Sequence, residues 1–157
     1  GFRANPDYAI ECLKAAQDGG ADWIVLCETN GGRLPGEIRE ALTQVNRAVK
    51  TPLGIHCHND GELAVANTLA GVEMGVTQVQ GTINGLGERC GNMNLISVIA
   101  NLQLKMGKKC VTPAQLKKLR EVSQLFYELA NINPNKRQAY VGDSAFALRA
   151  YRSRGGR

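Results

Sequence analysis

Long apolar runs are missing from this sequence. No stretch approaches the roughly 20 residues that a membrane-spanning helix needs, and no charged-then-apolar leader opens the chain. A soluble, cytoplasmic protein without a membrane partner is therefore expected. Paired cysteines are missing as well. Cys12, Cys27, Cys57, Cys90 and Cys110 are scattered and odd in number, and none forms a Cys-x-x-Cys pair. That argues against a disulfide framework and a zinc ribbon and fits reduced thiols in the cytosol. Acids are missing from the last nine residues, where Arg149, Arg152, Arg154 and Arg157 sit, and without these four the net charge of +5 falls to +1. The basic balance thus belongs to the tail. The body has no stripe to track phosphates, and nucleic acid is not an expected partner. Histidine is nearly missing: His56 and His58 are the only two in 157 residues.

What remains is ordinary globular material, 43% hydrophobic and 21% charged, long enough for one domain with a core. A helix is expected from Asn5 to Asp18, with Asn5 as N-cap, Pro6 at the first position and Gly19-Gly20 as the stop. Two neighbouring rows, Tyr8, Cys12 and Ala15 with Ala9, Leu13 and Ala16, give its apolar stripe. Ala21 to Cys27 follows as a strand. Its run Trp-Ile-Val-Leu-Cys is apolar throughout, as a parallel strand covered on both faces requires. A helix over Pro35 to Val49 leads, past Thr51-Pro52, to a strand ending in His56-Cys57-His58-Asn59-Asp60. Glu62 to Met74 reads as helix and Val76 to Ile83 as strand. A glycine-rich loop to Asn92 comes next, then a helix over Asn94 to Met106. Thr112-Pro113 opens a longer amphipathic helix to Ala130, with Leu116, Leu119, Val122, Leu125, Phe126 and Leu129 on one face. Residues 132–147 read as loop.

Strands alternating with helices mean βα units and a parallel sheet. Three successive strands end in polar loops, Glu28-Thr29-Asn30, His58-Asn59-Asp60 and Glu88-Arg89. In a (β/α)8 barrel such loops share the rim that carries the active site. An open doubly wound sheet gathers ligand groups at one switch point instead, so the three polar ends favour a barrel. A whole barrel needs about 250 residues and eight strands, so a partial TIM barrel, its last three strands and their helices followed by a helical extension, is expected.

Side chains alternate along a strand, so His56 and His58 face one way and Cys57 the other. Cys57 should pack as a small apolar residue. Two imidazoles on one face can share an ion. A solvated strand end is the bland alternative. Thr29 could stabilise a turn by its hydroxyl, and Asn59 and Asp60 could orient the histidines or cap the next helix, with capping and loop structure favoured for Asp60.

The motifs His56-Cys57-His58-Asn59-Asp60-Gly61, with Ala64, Ala66 and Asn67 after it, and Gly81-Thr82-Ile83-Asn84-Gly85-Leu86-Gly87-Glu88-Arg89-Cys90-Gly91-Asn92 stand one strand apart. Together they resemble the carboxyl half of the catalytic barrel of the acyl-CoA condensing enzymes and lyases, which include isopropylmalate, homocitrate and citramalate synthases and hydroxymethylglutaryl-CoA lyases. The resemblance covers about Phe2 to Ala147. Leu26-Cys27-Glu28-Thr29-Asn30-Gly31-Gly32 is similar to the citramalate synthase branch, whereas the isopropylmalate branch tends to carry a proline, an aspartate and Thr-Val-Gly there.

The resemblance implies a divalent metal (Mn, Mg or Zn) on His56, His58 and Asn92. It implies that Thr29 binds the carboxylate of a small α-keto acid such as pyruvate, and that acetyl-CoA is the other substrate. It further implies a Claisen-type condensation in branched-chain amino-acid synthesis and a homodimer of the full-length protein. Glu88 and Arg89 are expected to shape the loop as a buried ion pair. The domains so implied are residues 1–107 as the carboxyl half of the barrel, 108–147 as the start of a helical subdomain and 148–157 as a divergent tail. The family's first-strand Arg-Asp-Gly, which carries a further ligand, has no counterpart here. Ser144-Ala145-Phe146-Ala147 runs on into Leu148 where the family continues with His-Lys-Gly-Gly. A truncated or frame-shifted product with an incomplete site, little activity and an association-prone open edge is expected.

Overall fold

The computed structural model describes residues 1–147, so the arginine-rich tail lies outside the described residues. The chain divides into two compact units, Gly1–Met93 and Asn94–Arg157. The division falls before the fourth helix, whereas the sequence places a boundary after residue 107.

In the first unit, α1 (Pro6–Asp18), β1 (Ile24–Glu28), α2 (Pro35–Ala48), β2 (Leu53–Cys57), α3 (Ala64–Glu73) and β3 (Gln78–Gln80) alternate as expected. The Asn5 side chain accepts the Tyr8 N–H at 3.1 Å and caps α1. The strands form one parallel sheet in the order β1-β2-β3. The third strand is shorter than Val76 to Ile83, because Thr82 N–H leaves the ladder for the Met93 carbonyl at 3.0 Å.

Register fixes the two faces of this sheet. Cys27 lies opposite His56 and His56 opposite Gln80; one step back, Val25, Gly54 and Gln78 align. Because neighbours in register share a face, these six positions line one side. The other side carries Ile24, Leu53, Ile55 and Cys57, all buried. Helix α3 packs directly on that side: a Cβ on Gly71 would stand 3.0 Å from Ile55 Cδ1. From α2, Ile38, Leu42 and Val45 complete the core. By contrast α1 buries no residue at all and leaves Tyr8 exposed. Of its apolar stripe, Ala9 and Leu13 are half-buried, while Tyr8, Cys12, Ala15 and Ala16 stay exposed.

The second unit holds α4 (Leu95–Leu104), α5 (Pro113–Lys117) and α6 (Leu119–Leu129). The expected single helix over Pro113 to Ala130 is broken at Lys118, where the N–H turns to the Gln115 carbonyl at 3.0 Å, a tighter three-residue turn. Leu125, Phe126 and Leu129 are exposed, while Ser123 and Tyr127 are buried. The face turned inward is therefore the polar-edged one, held by Tyr127 O–H donating to Gln138 Oε1 at 2.8 Å. Among the described residues no helix is long and apolar enough to cross a membrane.

Two outcomes follow from this packing. Ile55 is 2% exposed, so Ile55→Ala should lower unfolding stability by about 2–5 kcal/mol, read from urea titration. Burial pushes the Cys57 thiol up to about 12. Iodoacetamide at neutral pH should therefore spare Cys57 in the folded chain and label the exposed Cys12, Cys27, Cys90 and Cys110, with mass mapping as the readout.

Candidate metal centre

Parallel strands end on the same side of the sheet. The loops that leave them, 29–34, 58–63 and 81–94, therefore meet along one edge. His56 is the fourth residue of β2, and His58 stands just past its end. Their rings lie 5.2 Å apart between centroids with planes at 69°. Burial first, and the neighbouring His58 second, hold the His56 imidazole below its ordinary value. A neutral ring offers the lone pair that a cation needs.

Beyond β2 the chain pairs with an incoming segment of the glycine loop. His58 and Asn92 form an isolated antiparallel bridge. Its two bonds are Asn59 N–H to the Gly91 carbonyl and Met93 N–H to the Cys57 carbonyl, both 2.9 Å. The bonds flank the pair rather than joining it, which makes His58 and Asn92 the narrow kind of opposite pair, with α-carbons about 4.5 Å apart and side chains close. Residues 34 apart in sequence thus share one place on one face.

The loop folds this way because several of its residues lack a side chain. A Cβ on Gly87 would come 2.6 Å from Asn92 Oδ1, filling the space which the amide uses. Gly91 has a φ of +94° and packs on the Gly85 carbonyl, where no larger residue fits.

His58 Nδ1 and Asn92 Oδ1 are buried and have no hydrogen-bond partner. Each unsatisfied buried polar atom costs about 1–3 kcal/mol, a cost that a shared cation removes. Imidazole nitrogen with amide oxygen suits a divalent ion of borderline character. The residues present therefore fit a metal. Among the described residues no three His, Cys, Asp or Glu side chains converge; the candidate set is two imidazoles and one amide.

Thr29 is exposed and lies just past the end of β1. Its carbonyl accepts from Arg89 Nη2 at 2.6 Å. The expected buried pair of Glu88 and Arg89 is not what forms. Arg89 bonds side-on to Asp60 instead, Nε to Oδ1 at 2.8 Å and Nη2 to Oδ2 at 3.0 Å, and both side chains are partly in solvent. The reason lies in the turn closed by Gly91 N–H on the Glu88 carbonyl. It puts Arg89 at a φ of +55° and sends its guanidinium across to the other two loops, while Glu88 stays exposed. Arg89's hydrogen bond in turn holds the Asp60 carboxyl below its usual range. The capping expected of Asp60 falls instead to Asn59, whose Oδ1 accepts the Ala64 N–H at 3.2 Å, because the Asp60 carboxylate is turned to Arg89.

Two features had no signal in the sequence. Cys27 and Gln80 flank His56 because of strand register, which depends on pairing and not on composition. Glu28 at the end of β1 is buried with Oε2 unpartnered, although a strand-end acid normally reads as solvated.

The profile of the HMGL-like family matches residues 1–126. An (R)-citramalate synthase of Geobacter sulfurreducens is 61% identical over 94% of this chain, and a 2-isopropylmalate synthase of Methanocaldococcus jannaschii is 43% identical over 92%. The chain spans about 28% of the length of each of these relatives. In fold it is similar to a solved HMG-CoA lyase of Acinetobacter baumannii in complex with coenzyme A and 3-methylmalate, with a TM-score of 0.70 at 20% identity, covering 85% of this chain and 46% of that one. With four-fifths of its length matched and both family motifs meeting at one strand edge, the chain belongs to the HMGL-like family.

Proposed function

We propose that this chain is part of an (R)-citramalate synthase, in which residues 1–107 form the last three strands of a (β/α)8 barrel with their helices, 108–147 begin a helical subdomain and 148–157 are a tail. The reading rests above all on the bridge that brings Asn92 to the two histidines. The 61% identity to a citramalate synthase supports the choice within the family. The enzyme would work in isoleucine synthesis, in the cytoplasm and as a homodimer. A 2-isopropylmalate synthase is the second reading, favoured by the 43% relative; a non-catalytic assembly module is the third, favoured by the short ligand set.

In this reading the methyl carbon of acetyl-CoA adds to the keto carbon of pyruvate, and thioester hydrolysis yields citramalate and CoA. A divalent ion (Mn, Mg or Zn) on His56, His58 and Asn92, when bound, supplies Lewis-acid polarisation of the keto acid. The Thr29 hydroxyl donates to the substrate carboxylate. Glu88 and Arg89 shape the loop beside it, and Cys57, on the covered face, takes no part. No residue of this chain is assigned as the base that removes the methyl proton.

Two measurements test this. Titrating Mn²⁺ into the chain by calorimetry should show binding that weakens at least about 10-fold in His56→Ala; equal binding by both removes His56 from the site. Acetyl-CoA plus pyruvate should give no CoA thiol release above background with this chain alone. Joined to the amino-terminal part of the Geobacter relative, the chain should release CoA faster with pyruvate than with a branched keto acid. The reverse preference would favour the isopropylmalate reading, and no release would sink both.

A further inference from the structure

We propose that Arg89 is a positioning residue, a clamp across the three strand-end loops that sets Asn92 and Thr29 at the same time. The proposal rests on the ion site described above and adds to it the device that holds the site's far-flung parts in register.

One guanidinium makes three bonds to two loops. Two run in parallel to the Asp60 carboxylate at 2.8 and 3.0 Å, and the third goes to the Thr29 carbonyl at 2.6 Å. Its own loop ends three residues later at Asn92. Asp60 is fixed from its other side as well: its carboxylate lies on the α-carbon of Gly31, with no room for a Cβ, and Gly61 N–H bonds the Gly31 carbonyl at 2.8 Å. The glycine loop, the loop after the histidines and the loop bearing Thr29 are thereby locked to one another.

Arg89 also sits at a φ of +55°, a conformation a β-substituted residue adopts at a cost and keeps only where surrounding contacts impose it. An ion pair this open to solvent adds little to folding stability. Strained backbone and weak stabilisation together make sense if the contact serves placement. A planar fork suits the task, because two parallel bonds fix direction as well as distance, which an ammonium cannot do.

The test uses this chain with Mn²⁺ as the probe. Arg89→Ala and Arg89→Lys should each weaken Mn²⁺ binding about 10- to 100-fold, and Arg89→Ala/Asp60→Ala should be no weaker than Arg89→Ala alone. Failure of lysine to rescue separates a directional clamp from a simple charge. Amide hydrogen exchange gives a readout independent of metal. The bridge amides of Asn59 and Met93 should exchange at least about 10-fold faster in Arg89→Lys, with the Ile55 amide of β2 unchanged. Binding within twofold of the unsubstituted chain together with unchanged exchange at Asn59 and Met93 overturns the clamp. If His58→Ala binds Mn²⁺ as the unsubstituted chain does, or that chain binds none, the ion site fails, and bridge-amide exchange alone then decides the role of Arg89.

Discussion

Two backbone hydrogen bonds hold the candidate site of this molecule together. They join the end of a parallel strand to a returning loop that runs the opposite way. A parallel sheet by itself sets side chains in rows along evenly slanted ladders. It cannot place an amide from one loop against an imidazole from another. The short antiparallel pair can, because its narrow geometry presses opposite side chains together. The rest of the loop is arranged to let that pair form: glycines where a methyl group would collide, one arginine in an unusual backbone conformation, and a carboxylate in the neighbouring loop to receive it.

This division of labour explains why the site sits in unit 1 while most of its atoms are in irregular backbone. Regular elements supply a stiff floor. On the covered face Ile55 and Cys57 meet α3, and the core residues of α2 lie in the same layer. On the open face His56 stands in a row with Cys27 and Gln80. The candidate ligand His56 lies on the open face; the covered face is mostly apolar, with Glu28 as its one buried acid.

Legibility in the sequence followed the range of the interactions. Asn5-Pro6 and Thr112-Pro113 mark helix starts by contacts three residues long, and both helices begin where they should. The period-2 argument placed the two imidazoles together and Cys57 behind them. Arg89 was expected to shape its loop, but its partner was not foreseen. Asp60 lies 29 residues away, and nothing local says that two loops touch. The inward face of α6 failed for another reason. Hydrophobic periodicity finds an apolar stripe, yet Tyr127 with its hydroxyl on Gln138 decided which side is buried. The break at Lys118 likewise has no residue-type cause in the sequence.

The crowding around Gly31, Gly87 and Gly91 reaches beyond one molecule. In the genetic code every amino-acid replacement reachable from a glycine codon by one base change adds a β-carbon. At Gly31 the loop after β1, and at Gly87 and Gly91 the glycine loop, therefore have no single-base variant that leaves the space free. A single-base substitution at any of them has to displace Asp60, Asn92 or the Gly85 carbonyl, so changes at other positions of these loops disturb the candidate site less.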